Sequence, residues 1–298
     1  MNTLPEPVYD VDVLMVGHLA KDQVFVDGHG GTVPGGAVYF GGIALSRLGF
    51  RVAVVTKLHA GDLYLLRELS DEGIQVLATT ASATSGIANY YLSANMERRT
   101  CKPLGFAGPF SAANIPAIGA RVVVAAGIMA GEVDLNLLKQ LAAHAPLALD
   151  VQGFVRVRDG DGLVFRPWAE MAEGLAHVTY LKVDRAEAEL LTGETDLSAA
   201  ALKLAAYGPR EIVVTQSSGV TVLAEGQLYT APFTSRSLEG RTGRGDTCFA
   251  SYLGGRLTRG PADATRLAAA VTSQKQERAG PWHGSLAEVE RLLAAGAA

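Results

Sequence analysis

Several features that mark particular classes of protein are scarce or missing in this sequence. Its 298 residues include two cysteines, Cys101 and Cys248, which are too few for a disulfide framework or a cysteine-rich metal site. No basic segment followed by an apolar stretch stands at the start, so we expect no secretory signal. No apolar run approaches the ~20 residues that a membrane-spanning helix needs. These absences predict a cytoplasmic protein without a membrane partner.

An excess of positive charge is also missing. Lys and Arg number 26 and Asp and Glu number 30, and this balance predicts no binding to nucleic acid. The common phosphate-binding loops are absent as well. No Gly-Lys dipeptide occurs, and the first predicted strand is followed by GHLAKD rather than by a G-x-G-x-x-G motif. The six histidines are scattered, with no zinc-binding spacing.

Short apolar runs and helical patterns, by contrast, alternate along most of the chain. The apolar runs predict buried strands at residues 11–16, 52–56, 122–126, 147–150, 179–182 and 212–215. The helical patterns lie at residues 42–48, 63–72, 135–144, 186–191, 199–206, 249–257, 262–276 and 286–295. Such alternation predicts an α/β fold with a mainly parallel central sheet that is covered by helices.

Two stretches interrupt this alternation. Residues 21–39 alternate polar and apolar side chains, and residues 85–106 have the pattern of one or two β-hairpins. We expect both to form a small sheet that covers one end of the main sheet as a lid. No Pro/Ser-rich linker or internal repeat is visible, so we predict one domain over residues 1–298. The exposed edges of the lid strands would allow two subunits to pair as a homodimer.

Glycine is abundant, at 34 residues, and its clearest cluster is Thr242-Gly243-Arg244-Gly245-Asp246 before a helical pattern. Two glycines at a helix start let successive N–H groups point into one concavity, and the helix dipole then favours an anion there. The aspartate would otherwise simply cap the helix, and the sequence leaves both explanations open.

Two further segments carry polar or glycine residues next to predicted elements. Gly35 and Gly36 precede a small-residue helix that ends with the residues RLG at 47–49, and a turn with a helix cap would explain them locally. Asp184 and Glu187 follow a predicted strand, and a capping box would explain them. Each segment taken alone is compatible with a purely structural role.

With these three segments in order, the sequence resembles the PfkB, or ribokinase-like, carbohydrate kinase family over essentially the whole chain. Residues 35–49 and 242–246 match its N-terminal and C-terminal signatures. Residues 61–74, 181–193 and 215–219 fit, at the right spacing, its Gly-x-Asp, Asn-x-x-Glu and nucleotide-loop regions. The resemblance implies a three-layer ribokinase-like fold with a β lid. It also implies transfer of the γ-phosphoryl group of ATP, with Mg²⁺, to a hydroxyl of a sugar or related alcohol.

The resemblance also implies roles for individual residues. Asp246 would be the catalytic base, and the N–H groups of Gly243, Arg244 and Gly245 would stabilise the transferring phosphoryl group. The family usually has a small residue between these glycines. The Arg244 side chain could fold away into solvent or supply charge to the phosphates, and we expect it to contact the phosphates or the acceptor. Glu187 would organise Mg²⁺ through water. The residues implied at the acceptor are Asp22, Gly35, Gly36 and Tyr39. The residues implied at the nucleotide are Lys182, Asp184, Thr215, Gly219 and Thr242.

The acceptor side departs from the family pattern. Residues 38–42, VYFGG, stand where many sugar kinases of the family have an asparagine, so an amide partner for sugar hydroxyls is lost. We therefore expect the acceptor to be a small sugar or a cyclic polyol such as an inositol. Two alternatives stay open. One is a nucleoside kinase in which Tyr39, Phe40, Tyr90 and Tyr91 stack on a base, and the other is a kinase-like binding protein without turnover.

Overall fold

The computed structural model describes residues 9–295, and of residues 95–99 it describes the backbone alone. The strands in chain order are β1 Val11–Val16, β2 Ala20–Val26, β3 His29–Gly35, β4 Val52–His59, β5 Gln75–Ala81, β6 Gly86–Leu92, β7 Asn95–Gly105, β8 Ala120–Ala125, β9 Leu147–Asp150, β10 Arg156–Asp159, β11 Gly162–Phe165, β12 Tyr180–Asp184, β13 Glu211–Thr215, β14 Gly219–Ala224 and β15 Gln227–Pro232. The α-helices are α1 Ala37–Arg47, α2 Arg67–Asp71, α3 Leu135–His144, α4 Gln152–Val155, α5 Met171–Leu175, α6 Arg185–Thr192, α7 Leu197–Ala205, α8 Arg244–Arg256, α9 Pro261–Gln276 and α10 Leu286–Ala294. Two short 3-10 helices cover Ala60–Leu66 and Ala112–Asn114. Within residues 9–295, none of these helices combines the length and the apolar character needed to cross a membrane.

The central sheet of the described residues has nine strands in the order β15-β14-β13-β12-β9-β8-β1-β4-β5. All neighbours from β13 to β5 pair in parallel. β14 and β15 extend one edge as an antiparallel hairpin. The mainly parallel sheet predicted from the alternation of elements is therefore confirmed.

Both faces of this sheet are buried, because alternate residues of its central strands enter two different apolar cores. In β1, Val13 and Met15 belong to the core that includes residues of α1 and α8. Leu14 and Val16 belong to the core on the other face, with residues of α3 and α7. A strand buried on both faces needs a nearly continuous apolar run, which made β1 recognisable in the sequence. The helix–sheet–helix arrangement confirms the three-layer α/β fold.

The lid is a separate four-stranded sheet in the order β3-β2-β6-β7. β2 pairs antiparallel with β3 and parallel with β6, and β6 pairs antiparallel with β7. Because β2 begins at Ala20, soon after β1 ends at Val16, the lid lies beside the carboxyl ends of the parallel strands. This is the edge of an open α/β sheet where ligands usually bind.

The predicted bounds of the first lid segment and of the first helix were wrong. The lid strands end at Gly35 and α1 begins at Ala37, so residues 37–39 are helical and the helix starts before residue 42. Gly41 and Gly42 inside the helix concealed its pattern. A Cβ at Gly41 would lie 3.0 Å from Ala250 Cβ in α8, so the absence of a side chain there allows the two helices to pack closely.

Other differences concern the type and bounds of two helices and several strands that were not predicted. The predicted helix at 63–72 is a 3-10 helix followed by α2, and α8 starts at Arg244 rather than at residue 249. β5, β10, β11, β14 and β15 were not predicted. β5, β10 and β11 have few buried residues, so they lack the apolar runs that identify central strands.

Candidate active site

A cavity of about 130 Å³ opens between the carboxyl ends of the central strands and the lid. Most of the residues singled out from the sequence line it: Asp22, Gly36, Lys182, Asp184, Thr215, Thr242, Gly243, Arg244, Gly245 and Asp246. Outside its lining, among the described residues, are Gly35, Tyr39, Gly219 and Glu187. The fold thus brings residues from opposite ends of the chain to one place.

Residues 241–246 form what we call the glycine-loop end of the cavity. Gly243 has φ +83° and ψ 8°, a left-handed conformation that favours glycine, and it is the N-cap residue of α8. A Cβ at Gly243 would lie 2.3 Å from the Phe40 ring. Within the described part of the chain, the N–H groups of Gly243 and Gly245 have no hydrogen-bond acceptor. Both are therefore available to an anion at the positive end of α8.

The backbone N–H of Arg244, between these glycines, is bonded within the chain, whereas its side chain faces the cavity. The N–H of Arg244 donates to the carbonyl oxygen of Arg241 at 3.1 Å and so closes a turn. Of the three N–H groups that the resemblance implied at the phosphoryl group, this one is already engaged within the chain. The Arg244 side chain lines the cavity, as does that of Arg241, and its Nη1 lies 3.5 Å from Gln276 Oε1. The glycine-loop end therefore carries positive side chains in addition to its free N–H groups.

Lys182 adds a buried positive charge to the same end. Its Nζ donates to Asp150 Oδ1 at 3.0 Å and lies 3.5 Å from Glu187 Oε2. Burial lowers the pKa of Lys182, but the charges of Asp150 and Glu187 raise it by more, so the lysine stays protonated. Its Nζ is 3.6 Å from the position of a Cβ on Gly245. A fixed ammonium group beside free N–H groups suits an anion with more than one negative charge.

Glu187 lies behind Lys182 rather than in the cavity. Its Oε2 accepts from the N–H of Asp184 at 2.7 Å, and its own N–H donates to Asp184 Oδ1 at 2.8 Å. The capping box that explained these residues locally is therefore formed. Burial raises the pKa of Glu187, and the charge of Lys182 opposes this change. Its Oε1 is buried and has no hydrogen-bond partner among the described residues.

The residues near Lys182 fit a magnesium ion only if it keeps most of its water ligands. In the part of the chain that the structure describes, no three His, Cys, Asp or Glu side chains are grouped closely enough to hold a metal directly. Mg²⁺ commonly retains several waters and binds through one or two carboxylates and substrate phosphates. The unpartnered Oε1 of Glu187 and the Asp184 carboxylate at the cavity suit such contacts through water.

The opposite side of the cavity, which we call the lid end, is built from side chains of separate elements: Asp22, Ile87, Asn89, Ile128, Gln152 and Arg156. Asp22 Oδ1 accepts from the N–H of Ile87 at 2.7 Å and so joins β2 to β6. Gln152 Nε2 and Arg156 Nη1 donate to the carbonyl oxygen of Ile128 at 3.3 and 3.4 Å. Carboxylate, amide and guanidinium groups can together donate to and accept from several hydroxyl groups.

A buried carboxylate holds the Ile128 loop from behind. Glu132 Oε1 accepts from the N–H groups of Ile128 and Met129 at 2.8 and 3.0 Å, and its Oε2 accepts from that of His18 at 3.2 Å. His18 Nδ1 lies 3.3 Å from Glu132 Oε2 and 2.7 Å from Ser85 Oγ. Burial raises the pKa of Glu132 to about 7 and lowers that of His18 to about 3. The lid end thus rests on a buried titratable pair.

Three of the residues outside the cavity lining have other packing roles. A Cβ at Gly35 would lie 2.3 Å from Asp22 Oδ2, so this glycine makes room for the Asp22 carboxylate. Tyr39 is buried in α1 and its hydroxyl donates to Glu68 Oε2 at 2.5 Å. A Cβ at Gly219, the first residue of β14, would lie 2.5 Å from the carbonyl oxygen of Ala231. Tyr39 and Gly219 therefore do not reach the cavity, because α1 starts earlier than expected and the β14–β15 pairing needs the glycine.

The aromatic residues considered for base stacking do not come together. Phe40 lines the cavity beside Gly243. Tyr90 is exposed and stacks on Phe25 within the lid, with ring centroids 5.3 Å apart. Tyr91 is buried, and its hydroxyl lies 3.2 Å from Thr242 Oγ1. Neither tyrosine lines the cavity, so a stacking platform made of these residues is absent from the described structure.

Sequence reasoning missed most of the lid end. The missed side chains come from β6, from the loop after β8, from α4 and from the start of β10, and no local pattern links these elements. Two residues did carry a signal. Arg241 is the first residue of the glycine-loop end, and Asn89 is a polar residue between apolar residues of a predicted lid strand.

The sequence matches a known protein family. The family described as pfkB family carbohydrate kinase matches residues 9–285. The chain belongs to this family. It is therefore a carbohydrate kinase of the ribokinase type by membership. No match was found among curated proteins.

Solved structures extend the comparison. A pyrophosphate-dependent kinase of the ribokinase family, in a sulfate complex, is 36% identical, with a TM-score of 0.87 over 93% of this chain and 99% of that one. A complex of a pyrophosphate-dependent kinase of this family with a pyrophosphate analog and myo-inositol is also 36% identical, with a TM-score of 0.86 over 95% and 99%. Ribokinase of Arabidopsis thaliana with ribose and ATP is 19% identical, with a TM-score of 0.75 over 95% and 98%. At that identity the last similarity bears on the fold alone.

Proposed function

We propose that the chain is a polyol kinase that transfers a phosphoryl group from inorganic pyrophosphate to a hydroxyl of a cyclic polyol such as an inositol. The observation that supports this proposal is that one cavity has two chemically different ends, the glycine-loop end and the lid end. Asp246 and the open N–H groups of Gly243 and Gly245 stand at one end, and a polar wall stands at the other. A base, an anion site and partners for hydroxyl groups are what phosphoryl transfer to an alcohol requires.

In the proposed reaction, the acceptor hydroxyl loses its proton to the Asp246 carboxylate as its oxygen forms a bond to phosphorus. The bond between that phosphorus and the bridging oxygen of pyrophosphate breaks, and inorganic phosphate leaves. The N–H groups of Gly243 and Gly245 stabilise the charge on the oxygens of the transferring group. Asp184 and Glu187 would hold Mg²⁺ through water, and such an ion would supply further positive charge to the phosphates.

Pyrophosphate is proposed as the donor in preference to ATP for two reasons. The two solved kinases with 36% identity are described as pyrophosphate-dependent. The positive side chains gathered at the glycine-loop end also suit a compact anion with several negative charges. Lys182, Arg241 and Arg244 supply charges for such an anion. ATP, which the family resemblance implies, is the competing donor.

A cyclic polyol is proposed as the acceptor because the lid end offers polar partners on several sides. Asp22, Asn89, Gln152 and Arg156 come from different elements around the cavity, so they can contact hydroxyl groups around a ring. A pyrophosphate-dependent kinase with myo-inositol bound is one of the similar structures, which supports this class of acceptor. The absence of a base-stacking platform among the described residues disfavours a nucleoside.

The test is a matrix of donors and acceptors. Pyrophosphate and ATP would each be offered with inositols, simple sugars and nucleosides, and new phosphomonoesters would be detected by phosphorus NMR. We expect a polyol phosphate and inorganic phosphate from pyrophosphate. Turnover with ATP alone would overturn the donor, turnover with nucleosides alone would overturn the acceptor, and no turnover at all would overturn the proposed function.

A matched pair of arginine variants would connect the result to the cavity. Arg244→Ala removes a charge at the glycine-loop end, so we expect the KM for pyrophosphate to rise roughly tenfold or more. Arg67→Ala removes an arginine whose side chain is 85% exposed on α2, and it should leave that KM unchanged. Equal KM values for pyrophosphate in the two variants would show that Arg244 does not contribute to the donor site.

A further inference from the structure

A buried lysine outside the cavity lining contacts the backbone of the glycine loop. Lys275 is in the last turn of α9, with 2% of its surface exposed. Its Nζ donates hydrogen bonds to the carbonyl oxygens of Gly240 and Thr242. These two carbonyl groups belong to the segment that leads into the left-handed Gly243. Lys275 is thus bonded to the backbone just before the open N–H groups.

Peptide geometry connects this lysine to the cavity. In a trans peptide unit the C=O of one residue and the N–H of the next lie in one plane and point in opposite directions. The Thr242 carbonyl points to Lys275, so the N–H of Gly243 in the same unit points away from Lys275. A rotation of this peptide unit that turned the Gly243 N–H away from the cavity would break the bond from Lys275 to Thr242.

The end of α9 supports the same segment by further contacts. The N–H of Gly240 donates to the carbonyl oxygen of Gln276 at 2.8 Å. A Cβ at Gly240 would lie 1.9 Å from the carbonyl oxygen of Arg278, so the loop packs directly on the helix end. The Lys275 Nζ also lies 5.0 Å from the centroid of the Phe40 ring, the ring that a side chain at Gly243 would strike. The loop is therefore held between α1 and α9 by contacts that meet at Lys275.

The positive charge of Lys275 also favours the observed orientation of the Thr242–Gly243 peptide unit. Burial lowers its pKa to about 7, and the charge of Asp246 raises it. The two carbonyl oxygens that accept from Lys275 also favour its protonated form, as does its position at the negative end of α9. An ammonium group that binds the Thr242 carbonyl polarises that peptide unit and strengthens its N–H as a donor.

We propose that Lys275 is a positioning residue, which orients the Thr242–Gly243 peptide unit so that the Gly243 N–H faces the anion. Lys275 does not touch the reacting atoms. The inference rests on the proposed function only in taking the bound anion to be a phosphate. A side chain of α9, which is distant from the glycine loop in the sequence, thus keeps that loop ordered.

The experiment measures anion binding without turnover, so that it can fail or succeed independently of the proposed reaction. Binding of inorganic pyrophosphate would be measured by calorimetry in the absence of a polyol, and thermal unfolding would report folding. We expect Lys275→Met to weaken pyrophosphate binding at least tenfold. If that variant does not fold, Lys275→Gln, which keeps two N–H donors, takes its place with a smaller loss expected. An unchanged pyrophosphate affinity in the folded variant would overturn the proposal.

Lys203 provides a matched control. Its Nζ also donates to a backbone carbonyl, that of Thr192 at 2.6 Å, but it lies in α7 away from the cavity. Lys203→Met should lower thermal stability without weakening pyrophosphate binding.

A kinetic measurement on the active enzyme separates positioning from general stability. We expect Lys275→Met to lower kcat roughly 10²-fold, as the loss of one anion-hole donor does, with the KM for the polyol unchanged. Added methylammonium should restore part of the kcat of Lys275→Ala, because it can occupy the vacated site. A variant that loses polyol affinity as strongly as pyrophosphate affinity would overturn the positioning role.

Discussion

The two ends of the cavity are built on different principles. The glycine-loop end uses backbone N–H groups of one short segment at the start of α8, and Lys275 holds the carbonyl oxygens of Gly240 and Thr242 in that segment. The lid end uses side chains from β2, β6, the loop after β8, α4 and β10, and contacts between these elements hold them, such as that of Asp22 with the N–H of Ile87. We infer that chemistry resides at the first end and acceptor selection at the second. Substitutions at the two ends should therefore affect different kinetic constants.

The largest effect should come from the proposed base. Asp246→Asn keeps the size of the side chain and removes its ability to take a proton, so kcat should fall roughly 10²- to 10⁴-fold. The KM for the polyol should change little, because the acceptor is held at the lid end. Steady-state kinetics with pyrophosphate and an inositol would measure both constants. Asp196→Asn, at the N-cap of α7, is the control, and a similar kcat for the two variants would refute the role of Asp246.

The next effect concerns the backbone of the glycine loop. Gly243→Ala places a side chain at φ +83° and against the Phe40 ring, so it should lower both folding stability and kcat. Gly193→Ala is the matched control, because Gly193 has φ +74° with nothing within 4 Å of its Cβ position. The control should lose about 1–2 kcal/mol from its backbone conformation alone and keep its activity. The structure predicts a larger loss of stability at Gly243, measured by urea unfolding. Equal losses would show that the Phe40 contact costs nothing.

A smaller effect is expected at the lid end. Asn89 is 3% exposed, lines the cavity and accepts from Cys101 Sγ at 3.3 Å. Asn89→Ala should raise the polyol KM about tenfold, the cost of one hydrogen bond in a buried site, and leave pyrophosphate binding unchanged. Asn114→Ala, outside the cavity lining, serves as control. If Asn89→Ala lowers kcat alone, the division of roles between the two ends is wrong.

The smallest effect is a change in the pH dependence of stability. Glu132 has a folded pKa of about 7, raised from 4.5, so the stability it contributes is full below about pH 4.5 and is lost as the pH rises to about 7. His18 has a folded pKa of about 3, lowered from 6.5, so its contribution is present above about pH 6.5 and is lost as the pH falls to about 3. Between pH 4.5 and 6.5 these two contributions change in opposite directions.

Glu132→Gln would leave the His18 contribution alone. The free energy of unfolding should then rise with pH across the window from 4.5 to 6.5 more steeply than in the wild type, by at most about 1.4 kcal/mol per pH unit. Urea unfolding at several pH values in that window would measure the slope. The exposed Glu189→Gln is the control, and identical slopes for wild type and Glu132→Gln would show that burial does not shift this carboxyl.

Recognition of the family from the sequence depended on the glycine-loop end and on the central strands. Residues 242–246 are contiguous, so their spacing was visible without any structure, and β1 and β9 were read as buried runs with their observed bounds. The lid end could not be read in this way. Asn89 is distant along the chain from Gln152 and Arg156, and the pairing of β6 with β2 and the turn after β9 bring them together. Tyr39 was misplaced for the same reason, because the start of α1 decides which way that side chain points.

The sequence by itself determined the three-layer fold, the lid and the family, because these depend on local hydrophobic period and on contiguous motifs. The tertiary structure decided which polar groups face the cavity. It engaged the Arg244 N–H in a turn, turned Tyr39 towards Glu68, and placed Lys275 behind the glycine loop. Each of these outcomes depends on hydrogen bonds between elements that are distant along the chain. Such bonds leave no periodic trace in the sequence, since a single buried lysine in a helix has the same local pattern whether or not it holds a loop.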